Sequence, residues 1–419
     1  MNNGIVVGLD IGTTKVVCLI SEQDETGNVS VLAKGEARSE GMRKGSVINI
    51  DATSKAIREA ISQAEKLAGV EVRDVVVGVS GDHVESILSN GMVTISGNNK
   101  VVSQDDVHRV IEAAKTVNIP NNREIIHVFP LDYSIEGVEG IIDPLGMSGG
   151  RLSVIILMVT AAKASLQNLR NSVAKAGFNI TDFVLQPYAS SCAILTHEER
   201  EMGVCLIDIG GGTTDLAMFN HNSLRSTSVV SVGGVNVTND LSVGLRTPME
   251  HAESIKTSFG VAHSSMVRED REHVEVPAVG GKESQQVSRK IVSQIIQLRL
   301  EELFEMVYRE ISVYAESVGK DVDKLFPAGA VLTGGASKLP GIAELAQSQL
   351  GLPVKIGEPT GVTGLTDAVC DPKYATAVGL LKYTFEQNRT ETSYEKGMSG
   401  GLKVDELFSR FKTWLDDML

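Results

Sequence analysis

Leu206-Ile207-Asp208-Ile209-Gly210-Gly211-Gly212-Thr213-Thr214-Asp215 decides how this chain folds. The stretch continues an apolar run that starts at Val204, then breaks into a carboxylate, three glycines and two threonines. That pattern predicts a strand that turns at the glycines. Glycines let a backbone approach a phosphate closely, and consecutive N–H groups form an anion nest. Asp208, at the strand end, is placed to hold hydrated Mg²⁺, a hard cation that keeps several waters. Taken alone, the stretch reads equally well as a plain β-turn between apolar runs.

A second copy lies near the N-terminus. Val6-Val7-Gly8-Leu9-Asp10-Ile11-Gly12-Thr13-Thr14-Lys15-Val16-Val17 repeats the order of apolar strand, Asp, Gly, two Thr and apolar strand. Two such designs in one chain predict two related halves facing one ligand. A third element, Gly329-Ala330-Val331-Leu332-Thr333-Gly334-Gly335-Ala336-Ser337-Lys338-Leu339-Pro340-Gly341, runs through a Gly-Gly turn into an expected helix with Pro340 in its first turn. In this order the three turns resemble the phosphate-1, phosphate-2 and adenosine motifs of the actin-like ATPase superfamily. There is no GxxxxGK[ST] and no GxGxxG, so the P-loop and dinucleotide-binding readings fall away.

Composition sets the frame. The 419 residues, 42% hydrophobic, allow more than one domain and a large core. Lys and Arg number 39 against 53 Asp and Glu, a net charge of −14, which argues against a nucleic-acid partner. Cys18, Cys192, Cys205 and Cys370 stand isolated in apolar segments without metal or redox spacing, as small buried hydrophobes of a reducing compartment. No apolar run reaches the ~18 residues of a membrane span, and no signal peptide precedes the first strand. A cytoplasmic globular protein is expected.

Strands and helices alternate from the start, the mark of an α/β layer. Residues 41–45 read as a flexible basic loop, and Asp51 as the N-cap of a helix stopped by Gly69. From about His83 to Thr160 the texture changes. Strands at 86–95, 124–133 and 152–159 and a helix capped by Ser103 with Asp106 predict an inserted α+β unit. Gln186, ahead of Pro187, has two readings: a polar strand-end residue, or the group that orients an attacking water. Glutamine can orient water but is no base. Thr247-Pro248-Met249-Glu250 reads as a capping box with Pro248 at the first helical position, and residues 286–318 as a long helical stretch of one or two helices. Arg289, Lys290 and Arg299 at its start read as a solvated face. The alanines and glycine of 373–381 permit close helix packing.

The end of the chain differs. Residues 389–402 form a polar linker. Over 403–419, Val404, Leu407, Phe408, Phe411, Trp414, Leu415, Met418 and Leu419 make one apolar stripe on a helix of ~25 Å. Such a helix either docks on its own domain or lies on a membrane.

With these features together, the chain resembles the FtsA family of bacterial cell-division actin homologues over nearly its whole length. The resemblance implies an α/β, actin-like two-domain fold of ribonuclease H-like halves, with an inserted α+β 1C subdomain and a C-terminal amphipathic helix. Its expected boundaries are 1–82, 161–198 and 371–388 for subdomain 1A, and 83–160 for 1C. Those for 2A are 199–242 and 313–370, with 243–312 for 2B.

The resemblance also implies ATP and Mg²⁺ as cofactors. Gly12, Thr13, Thr14 and Lys15 would meet phosphate on one side, and Gly210, Gly211, Gly212, Thr213 and Thr214 on the other. Asp10 and Asp208 would face Mg²⁺ through water, with Gln186 at the attacking water. Glu253 and Lys256, with Gly334, Gly335 and Lys338, would surround the nucleoside, and Gly233, Gly234 and Ala336 would also bind the cofactor; Glu253 and Lys256 read otherwise as a surface ion pair. At most slow ATP hydrolysis is expected. Implied partners are the C-terminal peptide of the tubulin-like FtsZ (at Arg289, Lys290 and Arg299), other copies of the chain in filaments through 1C and domain 2 contacts, further divisome proteins, and lipid of the inner membrane at the septum. Leu407, Phe408, Phe411, Trp414, Leu415 and Met418 would enter that lipid. Lys403, Arg410 and Lys412 are offset by Asp405, Glu406, Asp416 and Asp417, which leaves apolar insertion as the main force. Two other readings stay open: a pilus-assembly adaptor of the PilM type, which shares the inserted subdomain, and a sugar-kinase-branch enzyme, for which no general base is visible.

Overall fold

The computed structural model describes residues 4–397 except 24–27, 98, 117–118, 269–271 and 279–282. The expectations for the helix 403–419 and its apolar stripe therefore lie outside the described residues. Two mixed sheets are built on one plan. In the first, Ile5–Ile11, Lys15–Gln23 and Val29–Arg38 form an antiparallel meander, which Asp74–Val79 and then Asn179–Leu185 extend in parallel. Val362–Gly364 joins the far edge. In the second, Val204–Ile209, Thr214–Asn220 and Ser223–Val230 form the meander, and Ala330–Thr333 and Val354–Ile356 extend it in parallel. This repeat is the doubled half that the two Asp-Ile-Gly turns predict. Every residue of Val204–Ile209 is buried, as a strand covered on both faces requires.

The inserted unit is a four-stranded sheet in the order Val84–Thr94, Arg151–Ala162, Arg123–Ile135, Val138–Ile141. The helix Gln104–Lys115 covers one face, opened by the expected Ser103–Asp106 capping box. The chain enters and leaves this unit at one point, where Ala162 N donates to His83 O at 3.1 Å. A bolt fixes the unit to the rest: His127 Nε2 accepts from Leu185 N at 3.0 Å, and its ring lies among Phe129, Tyr188 and Tyr383.

Two helices, Gln186–Ile194 and Ala375–Gly397, run between the sheets, and the second continues to Gly397, through most of the stretch 389–402 expected to be a linker. They touch backbone to backbone, because a Cβ on Gly379 would fall inside the Ala189 carbonyl oxygen. Val17 and Leu19 of one sheet and Leu206 and Phe219 of the other share a core with Ala377 and Leu381 of the second helix.

Several local expectations are corrected. Asn49 caps the helix Ile50–Ala68, accepting from Ala52 N at 3.1 Å, and Asp51 lies inside the first turn. Residues 41–45 belong to a small hairpin, Met42–Arg43 with Ser46–Val47. Thr247 makes no capping box: its hydroxyl donates to Pro277 O at 2.6 Å, and the helix Met249–Phe259 begins after Pro248. Pro340 precedes the helix Ile342–Leu350. The stretch 286–318 divides into a strand, Gln285–Ser288, and one helix, Arg289–Ser317. Cys370 is only half-buried, unlike the other three cysteines.

Candidate functional site

The two glycine turns close with the same bond: Gly12 N donates to Lys15 O and Gly210 N to Thr213 O, each at 2.9 Å. They belong to different sheets and face each other. A Cβ on Gly211 would lie 2.5 Å from Thr14 Cγ2, and one on Gly212 would lie 2.5 Å from Thr13 Oγ1. The glycines of one turn thus make room for the threonines of the other.

Beside these turns opens a cleft of about 1060 Å³, at the upper end of the range for ligand sites. Of the residues read from sequence, Thr13, Thr14, Lys15, Gly210, Gly211, Gly234, Glu253, Lys256, Gly335, Ala336 and Lys338 line it. The others support its wall. Gly12 closes the first turn, and Thr214 Oγ1 donates to Val232 O at 2.8 Å. Gly233 opens the helix Gly234–Leu245, whose Gly234 and Val235 N–H groups donate to Gly210 O and Gly211 O at 2.9 and 2.8 Å. Gly334 holds φ +86° and leaves no room for a side chain against Asp208.

Three carboxylates lie buried behind the turns. Gln186 Nε2 donates to Asp10 Oδ1 at 3.1 Å, so this residue sits at the carboxylates rather than on open surface. Burial pushes Asp10 up to about 6, against the pull of Lys15 and with a push from Asp208. Asp208 accepts from Ser190 Oγ at 2.7 Å and from Thr376 Oγ1 at 3.4 Å; burial raises it too. Asp215 ties the halves together, accepting from Ser80 Oγ of the first sheet and from Thr213 Oγ1 at 3.2 Å. Burial pushes Asp215 up to about 7, with Asp208 and Asp10 adding repulsion against the relief from Ser80 and Thr213.

Clustered, poorly solvated carboxylates and hydroxyls are hard oxygen donors, the kind that suit Mg²⁺. Among the described residues no three such acidic, Cys or His groups converge on one point.

On the other side, Lys256 Nζ pairs with Glu253 Oε2 at 2.7 Å and donates to Thr238 Oγ1 at 2.8 Å and Gly234 O at 3.0 Å. Lys338 is paired with Asp371. Sequence reasoning missed Asp215, Ser80, Thr238, Arg38 and Lys373. Asp215 ends the opening stretch and was the one within reach; the others are brought in by pairings between distant segments.

The basic trio reads differently in three dimensions. Arg289 pairs with Glu272 at 2.6 Å and donates to Phe259 O at 2.8 Å, while Arg299 pairs with Asp240 and Glu302. Both arginines are neutralised within the chain, and neither lies at the cleft.

A family model described as "Cell division protein FtsA" matches residues 205–379, and one described as "SHS2 domain inserted in FTSA" matches residues 81–160. The FtsA of Pseudomonas aeruginosa is 40% identical, over 98% of this chain and 97% of its own. The chain belongs to the FtsA family. Among solved structures, the PilM-PilN type IV pilus biogenesis complex is similar with a TM-score of 0.64 at 18% identity, covering 91% of this chain and 98% of that one. MreB 5 of Spiroplasma citri bound to AMPPNP has a TM-score of 0.56 at 13% identity, covering 95% and 100%. These likenesses are of fold. This FtsA-family chain has the actin-like fold with the inserted subdomain of its family.

Proposed function

We propose that the cleft binds Mg-ATP and that the nucleotide supports assembly of the chain into filaments at the cytoplasmic face of the inner membrane. There it anchors FtsZ filaments through their C-terminal peptide and helps recruit the divisome at the septum. The observation that carries the ATP reading is the sign of the cleft. Lys15, Arg38, Lys256, Lys338 and Lys373 line it against only Glu250 and Glu253, in a chain of net charge −14. An excess of ammonium groups beside two N–H-rich turns suits a polyphosphate.

Asp10 and Asp208 would hold Mg²⁺ through its waters, and the ion would neutralise charge on the phosphates. Gln186, fixed by its bond to Asp10, keeps its carbonyl oxygen for a water but cannot take the proton. Turnover is therefore slow, far below the ~1–10³ s⁻¹ of metabolic enzymes. Membrane attachment rests on the stripe 403–419, a weak anchor that becomes firm when many subunits bind together. Among the described residues no helix is long and apolar enough to cross a membrane. The FtsA of Pseudomonas aeruginosa matches over nearly the whole chain at 40% identity, whereas the likeness to PilM is one of fold at 18%, so the septal reading is preferred to the pilus one.

Electron microscopy on lipid monolayers tests the proposal. Filaments are expected with ATP and sparse or absent without it. Monolayers left bare in both conditions overturn the filament reading.

A further inference from the structure

We propose that Lys373 is a phosphate-contacting residue of the cleft, acting with Lys15 on the polyphosphate chain of the nucleotide and not on its nucleoside. This deepens the Mg-ATP reading and rests on it.

Tyr374 is a buried ring with three ammonium groups around it. Lys15, Lys34 and Lys373 place their Nζ atoms 4.4, 4.5 and 4.6 Å from its centroid. A ring face attracts one cation well, but three charges so close repel one another. Their shared carboxylate is Glu36, which accepts from the Tyr374 hydroxyl at 2.7 Å and lies 3.9 Å from Lys373 Nζ. Burial works against charge on Glu36, yet Tyr374 and the three ammoniums hold its carboxyl below the ordinary range. Glu36 and, beside Lys15, Asp10 are two carboxylates against three ammoniums, and the neighbouring Asp371 is already paired with Lys338.

The surplus is not spread evenly. Lys34 is occupied away from the cleft, donating to Ala368 O at 3.2 Å and to the Tyr374 hydroxyl at 2.9 Å. Lys15 and Lys373 line the cleft. Lys15 Nζ donates to Lys373 O at 2.7 Å, which fixes the two residues relative to each other. The Lys373 backbone is held in turn by its N–H to Asp371 Oδ1 at 3.0 Å. On its other side, a Cβ on Gly335 would touch Lys373 Cβ at 3.8 Å, so Lys373 stands between Lys15 of the Asp10 turn and the Gly334-Gly335 turn. A ligand reaching from one turn to the other passes it. A bound polyphosphate relieves the repulsion, whereas an uncharged nucleoside does not.

Titration calorimetry of the full chain with Mg-ATP, Mg-ADP and adenosine tests this, using Lys373→Met and Lys373→Arg. The methionine keeps the apolar stem over Tyr374 and removes the charge. Lys373→Met is expected to weaken ATP and ADP by about tenfold, the scale of one charge-assisted hydrogen bond, and to leave adenosine unchanged. Lys373→Arg restores ATP and ADP affinity.

A second readout is the pH profile. Burial first, and the like charge of Lys373, bring Lys15 down to about 8, while Asp10, Glu36 and Asp371 pull the other way. ATP affinity of the parent therefore falls as pH rises through that value. In Lys373→Met the midpoint moves upward, which reports the Lys373 charge acting on Lys15, while the contrast between ATP and adenosine reports the phosphate contact. Unchanged ATP affinity in Lys373→Met, or an equal loss for adenosine, overturns the assignment while the ATP reading stands. A parent chain that binds no ATP overturns both.

Discussion

Asp215 shows what a fold does to one residue. The unfolded chain releases this proton near 3.8, and the folded one holds it to about 7. Between those values the native state binds more protons, so stability falls as pH rises and levels off above about 7. Urea midpoints of the parent and Asp215→Asn at pH 5, 6, 7 and 8 check this. The parent is expected to lose stability across pH 5 to 7 that the variant keeps, since Asn still accepts from Ser80. Parallel curves would show that the carboxyl is ionised throughout. The sequence reveals that Asp215 ends a glycine turn. It does not reveal Ser80, which comes 135 positions earlier and meets it only when the two sheets are stacked.

Among the elements, the pair Gln186–Ile194 and Ala375–Gly397 touches backbone to backbone. Gly379→Ala would push a methyl group into backbone, which cannot turn aside as a side chain can. The expected cost is at the upper end of the ~1–3 kcal/mol of an overpacked core, seen as a lower urea midpoint; a variant as stable as the parent would mean that the helices separate freely. This contact was legible in the small residues of 373–381, just as the hairpins were legible in their repeated Asp-Ile-Gly. Caps were read less well, for a local reason. Asn49 and Asp51 are both good acceptors within one turn of each other, and Thr247 finds an acceptor in Pro277 from a distant loop. Sequence spacing ranks such competitors equally, and the tertiary partner chooses between them.

In the whole molecule, the inserted unit is joined at one point and bolted at another. Replacing residues 84–161 with a short linker should leave Mg-ATP binding intact, because the cleft takes no residue from that range. Filament assembly should fail, because the FtsA resemblance places subunit contacts on this unit, and stability should drop, because Leu185 N loses its acceptor and Tyr188 and Tyr383 lose His127 and Phe129. Calorimetry, sedimentation and urea unfolding read the three effects separately; loss of ATP binding in a folded deletion would move the site into the insertion. The cleft was readable from sequence where its residues lie within one turn, and unreadable at Arg38 and Lys373, whose place is set by chain crossings between the halves. One asymmetry reaches further. The molecule is nearly a repeat of itself, yet where its halves touch, Thr13 and Thr14 fit against Gly211 and Gly212. Two threonine turns would collide there, and two glycine turns would leave a gap. Neither half can stand in for the other, so a swap of the two motifs, which keeps the composition unchanged, would preserve the seam, while copying either motif into both places would destroy it.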